Sequence, residues 1–173
     1  MRYRAGIMLS AVLALAAALF SAPLAAAEFT DQPACTIFNA AGKIVNPGPL
    51  KFDGATVMAR GVSGSTIVVA KFVVPADAAG KTIAIAAFDV SGGAFKKVTV
   101  SKSACVFNAG GPGTSAGLTA TAYLSVGSAG GYNMNVEPGG TYYLNIKLEL
   151  PFGGPSCGPG KVCDFAIRAY PPG

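Results

Sequence analysis

VEPGGTYYLNIKLEL, residues 136–150, reads as a turn feeding a strand. Pro138, Gly139 and Gly140 punctuate the chain, and the ten residues after them alternate without a break. Tyr142, Leu144, Ile146, Leu148 and Leu150 fall on one side, with Tyr143, Asn145, Lys147 and Glu149 on the other. Period two over this length predicts a strand with one face in a core and one in water.

The same pattern recurs along the chain. Leu118, Ala120, Ala122, Leu124 and Val126 alternate with Thr119, Thr121, Tyr123 and Ser125, and Tyr132, Met134 and Val136 alternate with Asn133 and Asn135. TIVVAKFVV, residues 66–74, is nearly continuous and predicts a strand covered on both faces. Further strands are expected near 35–38, 55–60, 81–90, 95–102 and 162–170, separated by turn signals such as NPGP, SGG and SAGG. No segment carries a helical period. Many short strands without helices to cover a parallel sheet predict an all-β fold, an antiparallel β-sandwich or jelly roll. The last strand is expected to pair with 141–150 as a hairpin.

The first 27 residues read as a cleaved signal peptide. Arg2 and Arg4 form a basic start, Ile7 to Phe20 is apolar, and Ala25-Ala26-Ala27 offers a small-x-small cleavage pattern, so Glu28 is the expected first mature residue and 28–173 a single domain. The apolar stretch is too short for a membrane span, and no second one approaches that length. Export places the protein in the periplasm or outside the cell, where four cysteines pair. Cys157 and Cys163 flank the short loop GPGKV, which favours their pairing and leaves Cys35 with Cys105. A zinc site is disfavoured, because no histidine shares the ligation and no paired CxxC knuckles occur.

Two internal echoes stand out. ACTIFNAAG at 34–42 returns as ACVFNAGG at 104–111, and VVPADAAGKTIAI at 73–85 resembles NVEPGGTYYLNI at 135–146. They are compatible with an old duplication and equally with a composition rich in Ala, Gly and Val.

Chemistry is narrowed by exclusion. Without histidine no Ser-His-Asp or Cys-His unit assembles. GTSAG around Ser115 and GPSCG around Ser156 match GxSxG, but neither sits between a strand and a helix, and no Ser-x-x-Lys spacing occurs. A carboxylate pair would have to come from Glu137, Glu149, Asp53, Asp77, Asp89 or Asp164, and their spacing supports none. The Gly clusters lack the helix and lysine of a phosphate-binding loop. Without Arg2 and Arg4 the chain carries 11 basic against 8 acidic side chains. Its one adjacent pair, Lys96-Lys97, reads as a solvated strand edge, so nucleic acid is not an expected partner. No cofactor is implied.

What remains is surface. Tyr143, Asn145 and Lys147 share one strand face, and Asp164, Arg168 and Tyr170 share a face of the last strand. With the two strands paired, Tyr143, Asn145, Lys147, Arg168 and Tyr170 would form one outward patch able to stack on a sugar or dock a protein. The bland alternative is a sheet exterior with cross-strand pairs Lys147–Asp164 and Glu149–Arg168. The absence of Trp weighs against carbohydrate. The reading is a non-enzymatic exported binding module for a glycan or protein, with a structural or adhesive surface subunit as the alternative and a carboxylate-pair enzyme as a distant third.

AKFVVPADAAGKTIAI, VTVSKSACVFN, VEPGGTYYLNIKLEL and SCGPGKVCDFAI together resemble a group of small exported bacterial β-sandwich proteins of unassigned function, which share a PGxTYYLNI strand and a Cys-bracketed last hairpin. In that group the cysteine equivalent to Cys105 is commonly followed by Pro-Gly-Asp-Phe, where this chain reads CVFN. The resemblance implies a fold and carries no catalytic or binding residue across.

Overall fold

The computed structural model describes residues 29, 32–91, 96–107, 115–117, 119–127, 134–148 and 162–173. Its strands are β1 (Ile44–Val45), β2 (Thr56–Val62), β3 (Ile67–Val73), β4 (Thr82–Ser91), β5 (Lys96–Ser101), β6 (Ser115–Gly117), β7 (Ala120–Val126), β8 (Met134–Val136), β9 (Thr141–Leu148) and β10 (Cys163–Tyr170). They form two five-stranded sheets, β1-β3-β9-β5-β6 and β2-β10-β4-β7-β8. The fold is the expected all-β sandwich. Most neighbours are antiparallel, but the edge pairs β1–β3 and β7–β8 are parallel, which corrects the purely antiparallel expectation.

The alternation places the core where the sequence predicts it. Tyr142, Leu144, Ile146 and Leu148 of β9 face Phe165, Ile167 and the apolar faces of β4 and β7 across the interior. Strand β3 is covered on both sides, as its continuous apolar run predicts. Val68, Ala70 and Phe72 enter this core, while Ile67 and Val69 enter a second apolar cluster on the other face of the sheet.

The expected hairpin of β9 with β10 does not form. Strand β9 lies between β3 and β5, and β10 lies between β2 and β4 in the opposite sheet. Alternation states which face of a strand is apolar and is silent about its neighbour. The 14 residues between Leu148 and Cys163 also exceed a tight hairpin connection. Each strand is interior to its own sheet, and the two apolar faces meet across the core.

The segment at 35–38 is not a strand. Pro33–Cys35 form a 3-10 turn and Thr36–Ala40 a short helix, α1. Pro33 opens the turn, where its fixed φ is already helical. Cys35 is bonded to Cys105, as predicted, which staples this segment over the outer face of the first sheet. Cys163 is also disulfide-bonded; its expected partner Cys157 lies outside the described residues, as do the proposed signal peptide and Ser156.

Both echoes acquire a spatial meaning. The cysteines of the first are bonded to each other, and Phe38 meets Phe107 edge-on, with ring centroids 6.3 Å apart. The second echo marks two of the places where the chain changes sheet, between β3 and β4 and between β8 and β9. There the Val74 N–H donates to the Gly140 carbonyl at 3.0 Å, and the Gly139 N–H to the Val74 carbonyl at 2.9 Å. At Gly140 a Cβ would stand 2.8 Å from the Tyr142 ring and 2.9 Å from the Glu137 carbonyl, so only glycine fits this turn.

Lys96 departs from the solvated edge expected for it. It is fully buried on the inward face of β5, its ammonium 5.7 Å from the centroid of Phe165. The edge position belongs to β6, a three-residue strand too short to read from sequence.

Candidate functional site

Because β9 and β10 belong to different sheets, the five residues expected to form one patch are divided. Tyr143, Asn145 and Lys147 do point away from the main core, but their face is not open to water. Phe29, Cys35, Ala104 and Cys105 pack over Ile67 and Val69 as a second layer, with Tyr143 at its margin, edge-on to Phe29. Asn145 lies under this layer with no exposed surface.

Its amide is used in full. The Cys105 N–H donates to Asn145 Oδ1 at 2.6 Å, and Asn145 Nδ2 donates to Ser101 Oγ at 3.1 Å and to the Ser103 and Tyr143 carbonyls at 3.4 Å. Cys105 itself holds φ +62°, a left-handed conformation uncommon for a residue with a Cβ. The side chain of Asn145 therefore fastens the disulfide loop to the sheet. Lys147 stands between Ile67 and Lys97 in register, so the cross-strand pair expected with Asp164 is not made. Asp164 Oδ1 instead accepts the Gly61 N–H at 2.9 Å, beside the bulge in β2 and β10. Glu149 lies outside the described residues.

Arg168 and Tyr170 lie on the outer face of the second sheet, and there the structure supplies a different companion. Register places Tyr123 of β7 opposite Ala84 of β4, and Ala84 opposite Tyr170 of β10. Tyr123 is 55% exposed and Tyr170 39%. Two rings therefore flank a methyl group, two strands apart, which at the usual strand spacing is about 9.5 Å. In the next row Ala86 stands between Thr121 and Arg168. Arg168 donates from Nε and Nη2 to Thr56 Oγ1 at 3.1 and 2.9 Å and lies 5.7 Å from the centroid of Phe88. Alanine at 84 and 86 keeps the floor low between taller neighbours. Tyr123 was legible as an outward residue, but nothing short of register could join it to Tyr170.

Two further carboxylates serve a turn and a surface pair. Asp53 Oδ1 accepts the Ala55 N–H at 2.8 Å, and Glu137 meets Lys102 at 3.4 Å on the surface. Ser115 belongs to β6, paired with Val98, and not to a strand-to-helix elbow. Among the described residues no group of three or more acidic or cysteine side chains could hold a metal, and no helix is long and apolar enough to cross a membrane.

No family model and no curated protein matches the chain. Two solved structures show limited similarity. The pre-peptidase C-terminal domain of a collagenase from Bacillus anthracis is 15% identical over 73% of this chain and 93% of that one, with a TM-score of 0.41. CorA, a surface-associated copper-binding protein of Methylomicrobium album BG8, is 12% identical over 75% of this chain and 100% of that one, with a TM-score of 0.36. Likenesses of this strength say nothing of what this chain binds.

Proposed function

We propose that the protein is an exported, non-catalytic module that binds an extended polysaccharide on the outer face of its second sheet. The observation that carries this reading is the row Tyr123–Ala84–Tyr170. A pyranose ring offers an apolar face of C–H groups that stacks on an aromatic ring. A spacing of about 9.5 Å, from two strand intervals, is close to the repeat of every second sugar in an extended chain. Ala84 leaves the sugar between them room to pass. Arg168, held by Thr56 and Phe88, has guanidinium hydrogens left to direct at hydroxyl groups. The alternative of a structural or adhesive subunit has no comparable feature among the described residues.

Affinity electrophoresis through gels carrying single soluble polysaccharides, α-linked and β-linked, tests the proposal. The wild-type protein is expected to be retarded by at least one of them. If each stacked ring contributes about 0.5–1.5 kcal/mol, Tyr123→Ala and Tyr170→Ala each weaken retention several-fold, and together abolish it with an unchanged melting temperature. A protein retarded by none of the polysaccharides, or a double variant retarded like wild type, would overturn the proposal.

A further inference from the structure

A second concave feature lies at the edge of the first sheet and does not depend on the polysaccharide reading. Strand β1 covers only the first two residues of β3, through the pairs Ile44–Ile67 and Val45–Val68. The chain returns to β3 at a single parallel bridge, Leu50 with Phe72, where the Leu50 N–H donates to the Lys71 carbonyl at 2.9 Å. Between these contacts and Pro75 an open groove of about 500 Å3 remains, within the usual range for small-molecule sites.

Its floor is apolar and stiff. Leu50 and Phe72 are buried, Phe72 stacks on Tyr142 with centroids 6.0 Å apart, and Phe52 meets Phe72 edge-on at 5.7 Å. Its rim is cationic. Lys51 and Lys71 both line the groove, beside Val73, which is 53% exposed. The bridge at Leu50 and Phe72 sets the two lysines a diagonal step apart, about 7–8 Å between neighbouring strands. Neither makes an ion pair with an acid among the described residues. Two adjacent like charges without a counter-ion, at the mouth of an aromatic-floored groove, favour a ligand with one anionic end and one apolar end.

We infer that this groove binds an amphiphilic carboxylate, a short acyl chain or an aromatic ring bearing one carboxylate. The apolar part rests against Phe52 and Val73, above the buried Leu50 and Phe72, and the carboxylate lies between Lys51 and Lys71.

Titration calorimetry and amide-shift mapping with octanoate test this, with octylammonium, acetate and an oligoglutamate peptide run beside it. Octanoate is expected to bind with one-to-one stoichiometry, at least tenfold more tightly than octylammonium or acetate, and to shift amides at 49–52 and 71–75. Lys51→Gln with Lys71→Gln is expected to weaken octanoate at least tenfold while leaving the melting temperature unchanged, since both lysines are rim residues. Equal binding of octanoate and octylammonium, no effect of the double variant, shifts elsewhere, or no octanoate binding at all would each overturn the inference. Tighter binding of the peptide than of octanoate would overturn it in favour of an acidic protein partner.

Discussion

Asn145 illustrates how much one side chain can hold when it is placed between two layers. It receives the Cys105 N–H and reaches Ser101, Ser103 and Tyr143 with its own amide hydrogens. Removing it strands a buried donor, which costs about 1–3 kcal/mol. Asn145→Ala is therefore expected to lower stability by that amount in urea melts, against about 2–5 kcal/mol for Ile146→Ala in the main core and under about 0.5 kcal/mol for the exposed Asn135→Ala. An Asn145→Ala variant as stable as Asn135→Ala would mean that the loop is held without it. Alternation had predicted a solvated Asn145. It was right that the residue points away from the main core, and silent about the second layer, because that layer comes from Phe29, Cys35, Phe38, Ala104, Cys105 and Phe107, distant in sequence from Asn145.

Strand existence was legible where apolar and polar residues alternate over seven or more positions, as in β7 and β9, and in nearly continuous apolar runs such as β3 and β4. It was not legible in β1 and β6, of two and three residues, nor in α1, whose shape follows from Pro33 and the Cys35–Cys105 bond. Partnership was the harder matter, since β9 and β10 carry equally strong apolar faces and only the sheet order separates them. Cross-strand backbone NOEs decide this: Leu144 is expected to connect to Ala70 and Val100, and β10 to β2 and β4. Any NOE ladder between β9 and β10 would contradict this topology. The bond between Cys35 and Cys105 spans a sequence separation of 70 residues. Replacing both by Ser is expected to remove about 2–4 kcal/mol, mainly through a freer unfolded chain, and to expose the layer above Val69. A melting temperature unchanged by the replacement would show that the covering segment is held by apolar contact alone.

At the scale of the whole molecule the two sheets have different outer faces. The first is covered by its stapled layer over Ile67, Val69 and Asn145, and the second carries Tyr123, Tyr170 and an anchored arginine at its surface, with Ala84 and Ala86 low between them. The expected binding residues were drawn from both faces because the sequence shows outward positions strand by strand. Arg168 and Tyr170 keep a place in the polysaccharide reading, Tyr123 joins them, and Asn145 passes to the framework. The footprint of a retained polysaccharide on the amide spectrum separates the two faces most directly. Shifts are expected to concentrate on β7, β4 and β10, around Tyr123, Ala84, Ala86, Arg168 and Tyr170, and to vanish in the Tyr123→Ala, Tyr170→Ala protein. Shifts that instead concentrate on β3 and β9, or that persist in the double variant, would contradict a seat on the second sheet.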